Sequence, residues 1–161
     1  MITFEVINAT FSLQCKNAIK NWIKEILLLK NLKPGAINFI FADDEYILQT
    51  NREFLGHDYY TDIITFDTSE YDPFHTSKGK ISADIIISLD TVLANSQEYG
   101  STFTEELYRV MSHGLFHLIG YDDHNEDDVK EMRAAENEAL SISIELNLPM
   151  QKYTKSNDRK I

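Results

Sequence analysis

Lys80 to Gly120, KISADIIISLDTVLANSQEYGSTFTEELYRVMSHGLFHLIG, carries one strand signal and two helix signals in direct succession. Lys80–Ser88 is rich in β-branched residues and reads as a strand. The period then lengthens. Leu89–Tyr99 reads as a helix with Asp90 near its start and Gly100 as its terminator. Ser101 or Thr102 then caps a long apolar helix, Glu105 to about Ile119, stopped by Gly120.

Upstream, Ile2–Ile7 alternates apolar and polar residues as a strand does. From Leu13 to Leu32, Ile19, Trp22, Ile23, Ile26, Leu27 and Leu29 recur at helical spacing, and Lys33-Pro34-Gly35 ends the run. Ala36–Ala42 is a second strand, and Asp43 caps a helix over Glu45–Phe54 whose apolar face carries Tyr46, Ile47 and Phe54. Thr61–Asp67 is a third strand, separated from the Lys80 strand by a polar loop, Thr68–Gly79. Downstream, a last helix runs from Glu126 to Leu146 and Pro149 closes it. The expectation is a single α+β domain, residues 1–150, with a mixed four-stranded sheet, about five helices and a polar, partly basic tail over 151–161.

Composition narrows the function classes. The 161 residues suit one domain, and 43% hydrophobic with 25% charged content excludes a disordered or fibrous chain. One cysteine, Cys15, cannot form an internal disulfide, and the first residues lack a secretory signal, so a reducing cytoplasm is expected. No apolar run reaches the ~20 residues of a membrane span. With 15 Lys and Arg against 26 Asp and Glu, the net charge of −11 repels polyphosphate overall, so a nucleic-acid partner needs a local basic patch. Lys16, Lys20 and Lys24 stack on one helix face, and the tail adds Lys152, Lys155 and Arg159. A solvated helix face is the simpler meaning of that stripe.

Three of the 5 histidines fall within Ser112–His124, SHGLFHLIGYDDH. His113 and His117 are one helical turn apart on one face and can share a metal. Gly120 ends the helix, and the turn beyond it returns Asp122, Asp123 and His124 toward the same point, so a third ligand can close three corners of a tetrahedron. Three protein ligands plus water is the catalytic arrangement of zinc, which lowers the pKa of bound water to roughly 7. An HxxxH pair by itself also arises from two ordinary helix histidines; the glycine and the Asp-His that follow it favour the metal. Gly114 stands where HExxH metalloproteases carry their general-base glutamate, which disfavours peptide hydrolysis. A substrate that brings its own nucleophile, such as the 2′-hydroxyl of RNA, fits better.

HGLFHLIGYDDH, His113–His124, resembles the HGxLHLxGYDH stretch of the YbeY family of bacterial rRNA maturation factors. Asn51–Phe66, NREFLGHDYYTDIITF, is similar to that family's Asn…Gly-x-Asp…Thr-Asp-Val-Leu-Ser-Phe segment. Ala83–Ser88 resembles its GDIxIS strand, and the acidic segment ending in Met132-Arg133-x-x-Glu136 its final helix. The resemblance implies a zinc-dependent endoribonuclease acting in 16S rRNA 3′-end maturation and ribosome quality control. It also implies one Zn²⁺ on three side chains, and His113 and His117 as catalytic residues. The implied partners are rRNA and the small ribosomal subunit, with a ribosomal protein or a ribosome-associated GTPase besides, and neither DNA nor membrane. The family's third ligand lies six residues after the second histidine, which is Asp123 here, with His124 as the rival one residue on. Where the family often has a basic residue before the glycine of Gly-x-Asp, this chain has Leu55, and Arg52 is the nearest cation. That departure and the net acidity support a second reading, a ribosome-associated binding factor with a mainly structural metal.

Several other residues carry weaker signals. Asp62 can support a ligand histidine or cap a turn, and Asp84 is a surface residue or a neighbour of the metal. Glu105 and Glu106 suit a helix start. Trp22, Tyr46, Tyr99 and Phe103 read as core, Tyr59 and Tyr60 as stacking candidates, and His57 and His75 as uninvolved loop imidazoles.

Overall fold

The computed structural model describes residues 1–69 and 79–155. His75, Pro73 and Arg159 lie outside the described residues. The element order is β1 (Ile2–Ile7), α1 (Lys16–Leu29), β2 (Lys33–Ala42), α2 (Asp44–Leu55), β3 (Ile63–Asp67), β4 (Lys80–Ser88), α3 (Leu89–Tyr99), α4 (Phe103–Ile119) and α5 (Glu126–Glu145). One sheet forms in the order β1-β2-β4-β3. β1, β2 and β4 run parallel and β3 is antiparallel to β4, as the mixed four-stranded α+β expectation requires.

Alternation along the strands splits the apolar residues between two faces. Ile37, Phe39, Phe41, Ile85 and Ile87 enter the main core with Trp22 and Ile23 of α1 and Leu107, Met111 and Leu115 of α4. Ile86 and Ile64 point the other way and are covered by Ile47 of α2. Trp22 is fully buried and its indole N–H donates to the Ala139 carbonyl at 2.8 Å, tying α1 to α5.

Local signals set most boundaries. Asp43 accepts from the Tyr46 N–H, Ser88 from Thr91 and Thr102 from Glu105, each the N-cap of its helix. Gly100 and Gly120 adopt positive φ, 70° and 117°, and terminate α3 and α4.

Four local expectations are corrected. α1 begins at Lys16, because Cys15 is left-handed (φ 56°) and starts the helix three residues after Leu13. β2 begins at Lys33 and not Ala36. Pro34 and Gly35, expected to form a turn, lie in the strand where β1 has not yet begun to pair, so the missing proline N–H costs no ladder bond on that side. Phe54 at the end of α2 is 69% exposed and touches Phe66 edge-on. Tyr99, expected in the core, is 68% exposed at the last residue of α3. Trp22 and Phe103 pack in or on the core as expected. Of the segment read as a tail, Gln151 is buried and bonded to Gln14, Thr104 and Tyr108, while Tyr153 stacks on Phe103.

Candidate active site

α4 is the central element. Its apolar positions pack it onto the sheet, and Gly114 allows the approach: a Cβ there would stand 2.8 Å from Ile63 Cδ1 and 3.3 Å from Ile85 Cγ2. A longer side chain at this position would press on the sheet. The sequence lacks the HExxH glutamate, and the close packing of α4 on β3 and β4 at this point disfavours one.

His113 and His117 lie on the same face of α4, and Gly120 turns the chain back so that Asp123 joins them. All three line one pocket of about 250 Å³ with Thr61, Asp62 and Thr65 of the β3 side. His124 does not line it; its imidazole is 78% exposed, 3.6 Å from Asp122. Asp84, paired across the sheet with Asn38 and Phe66, does not line it either. Arg52 is held by Asp58 at the surface, and His57 stacks on Tyr59 at 5.2 Å, both away from the pocket wall. Tyr60 is exposed and donates to Glu45.

Behind His113 stands a charged network that spacing along the chain could not reveal. The Nδ1 of His113 is 2.8 Å from Glu136 Oε2, and Arg109 donates to Glu136 Oε1 at 3.0 Å. Glu136 is only 6% exposed. Burial alone would push its carboxyl up, but the bonds from His113 and Arg109 outweigh it and hold it below the ordinary range. Reciprocally, the bond to Glu136 raises the His113 pKa against the opposing effect of burial, with Asp62 and Asp123 adding to the rise. An ionised carboxylate only accepts, so Nδ1 carries the proton and Nε2 is the ring nitrogen left for other chemistry. Arg109 sits one turn before His113 on α4, a position that could have been noticed; Glu136 is on another helix and appeared only within a resembling segment. The Asp62 carboxyl is raised chiefly by burial, with His113 pulling the other way.

Two imidazoles and a carboxylate on one pocket wall, one imidazole oriented by a carboxylate behind it, fit a divalent ion such as zinc in donor chemistry. Among the described residues no three His, Cys, Asp or Glu side chains stand close enough together to hold a metal ion.

A second, larger cavity of about 620 Å³ lies beside this pocket and shares Asp62, His113 and Asp123 with it. Glu106 and Tyr99 line it. Glu106, read from sequence as a helix-start residue, is buried at 7% exposure. No helix among the described residues is long and apolar enough to cross a membrane.

The family model described as Endoribonuclease YbeY matches residues 3–143. A Cytophaga hutchinsonii protein named Endoribonuclease YbeY is 46% identical over 132 residues, covering 82% of this chain and 88% of that one. A Porphyromonas gingivalis protein of the same name is 44% identical over 138 residues, covering 83% and 87%. A Thermotoga maritima protein solved in solution superposes with a TM-score of 0.58 at 26% identity, covering 91% of this chain and 92% of that one. With a family model spanning residues 3–143 and relatives 44% and 46% identical over most of its length, the chain belongs to the Endoribonuclease YbeY family.

Proposed function

We propose that this protein is a zinc-dependent endoribonuclease of the cytoplasm that acts in 16S rRNA 3′-end maturation and ribosome quality control. The observation that carries the reading is that His113, His117 and Asp123 line one pocket with Glu136 behind His113, in a chain of an endoribonuclease family. His113, His117 and Asp123 would hold the ion. Zinc bound there would act as a Lewis acid toward water and the phosphodiester.

The chain's own residues do the rest. Glu136 holds the His113 ring in the tautomer that leaves Nε2 toward the ligand side. Asp62, whose carboxyl is held above the usual range by burial, is the group on the wall suited to take up and return a proton during attack by water or by the 2′-hydroxyl. Its partners on this reading are the rRNA of the small subunit and a ribosomal protein or ribosome-associated GTPase.

The experiment is a metal assay on purified protein followed by cleavage of RNA carrying the immature 3′ end of the small-subunit rRNA. The wild type should bind about one zinc and cleave, whereas His117→Ala should lose cleavage by a factor of 10² or more, on the order expected when metal activation is removed. RNA binding with equally weak cleavage in both proteins would favour the binding-factor reading, which the net charge of −11 and Leu55 support.

A further inference from the structure

We propose that the larger cavity, between α3, α4 and α5, is a subsite for one unpaired guanine of the substrate RNA, held by its Watson–Crick edge on the Glu106 carboxylate. This rests on the reading of RNA as the substrate. The cavity measures about 620 Å³, ample for a nucleobase and its sugar. It shares Asp62, His113 and Asp123 with the pocket assigned to the phosphodiester, so a nucleotide seated in it adjoins the bond to be broken.

Glu106 is the anomaly that calls for a ligand. It is 93% buried (7% exposed), lines the cavity, and among the described residues has no hydrogen-bond or ion-pair partner. Burial pushes its carboxyl above the ordinary range; Arg109 opposes the rise, and Asp62 and Glu136 add to it. The Glu106 carboxylate oxygens reach the cavity, and a ligand offering two parallel N–H groups can pair with both. Among the bases, guanine alone presents that pair, N1–H beside the N2 amino group. Adenine and cytosine set an acceptor next to their single amino group, and uracil flanks its one N–H with carbonyls. Either arrangement turns a lone pair toward a carboxylate oxygen.

The rest of the wall suits a nucleotide. Tyr99 is 68% exposed at the cavity rim, a face on which a base can stack. Ser101 lines the cavity as well, its hydroxyl buried beneath the surface and without a partner among the described residues. A guanidinium from a partner protein offers the same two donors. The wall carries Asp62, Glu105, Glu106, Asp123 and Glu136 against Arg109 and Arg133, so charge does not decide between the two; the continuity of the cavity with the pocket assigned to the phosphodiester favours the nucleotide.

The test is titration of the full-length protein with GMP, IMP, AMP and CMP, read by backbone amide NMR shifts. GMP should bind about ten-fold or more tightly than IMP, which lacks only the N2 amino group, and than AMP or CMP. Glu106→Gln, which places an amide N–H against the guanine donors, should abolish the GMP-over-IMP preference while the circular dichroism spectrum stays unchanged. Should that variant misfold, the exposed Tyr99→Ala decides: it should weaken GMP binding about ten-fold. Equal affinity for GMP and AMP, a preference that survives Glu106→Gln, unchanged GMP binding in Tyr99→Ala, or tighter binding of free arginine than of GMP overturns the subsite. RNA in which one guanine at the cleavage site is replaced by inosine completes the comparison. A protein that cleaves both RNAs equally lacks the subsite, whereas one that cleaves no RNA yet prefers GMP in the titration retains it and loses the nuclease reading instead.

Discussion

His113 Nδ1 and Glu136 Oε2 lie 2.8 Å apart across the α4–α5 contact, so a residue of the last helix sets the protonation and tilt of a residue of the central one. Arg109, 3.0 Å from the other carboxylate oxygen, completes the arrangement. The candidate site therefore draws on α5 and the β3 side as well as on the histidine-bearing segment.

Replacing Glu136 by Gln should lower the His113 titration midpoint in the metal-free protein toward the ordinary value of 6.5, measured by imidazole NMR. The pH dependence of stability has a definite sign. Folded His113 holds its proton more tightly than the unfolded chain does, so its contribution is full below about pH 6.5 and fades as pH rises through the raised midpoint. Folded Glu136 releases its proton more readily, so its contribution is present above about pH 4.5 and fades as pH falls through the lowered one. The wild type should thus gain most over Glu136→Gln between those limits, by about 2–3 kcal/mol for charged hydrogen bonds to a buried carboxylate. Denaturant unfolding at several pH values checks this, and a constant difference from pH 3 to pH 9 would contradict it.

Zinc affinity should separate the two rivals beyond Gly120. Asp123→Ala should weaken binding by at least about ten-fold, while His124→Ala should leave it nearly unchanged, because the structure puts only Asp123 on the wall with His113 and His117. Competition with a chromophoric chelator measures both. The reverse order would return the third position to His124.

Gly114→Ala should be nearly neutral and Gly114→Val clearly destabilising. The alanine Cβ meets Ile63 Cδ1 at 2.8 Å, the mobile end of a side chain, and the gain in helix propensity of about 1 kcal/mol offsets much of that strain. Valine adds branches against Ile85 Cγ2 and Thr65 Cγ2 and should cost about 2–3 kcal/mol by overpacking. Thermal unfolding of the two variants gives the comparison, and equal melting temperatures would show that α4 can move off the sheet.

Trp22→Phe should cost about 2–3 kcal/mol, from the volume lost in a fully buried position and from the bond to the Ala139 carbonyl. Equilibrium unfolding followed by far-ultraviolet dichroism measures it. A loss below about 0.5 kcal/mol would mean that α1 and α5 are held together by other contacts.

Local chemistry was enough for much of this molecule. β1, β4 and α3 end at the residues their patterns indicate, since alternation, a serine N-cap and a terminal glycine act within a few residues of one another. His113 and His117 share a face because a helix repeats every 3.6 residues. The rest depended on neighbours distant in sequence. Pro34 could enter a strand because β1 does not pair with that edge of β2 while β4 pairs with the other, and Tyr99 is exposed because the end of α3 borders a cavity that the Leu89–Tyr99 pattern does not encode. The pairing of His113 with Glu136, the isolation of Glu106 and the choice of Asp123 over His124 on the pocket wall were decided by how α4, α5 and the turn after Gly120 pack together. Contact across that distance is a property of the folded chain, because burial and pairing are set by which surfaces meet and not by spacing along any one of them.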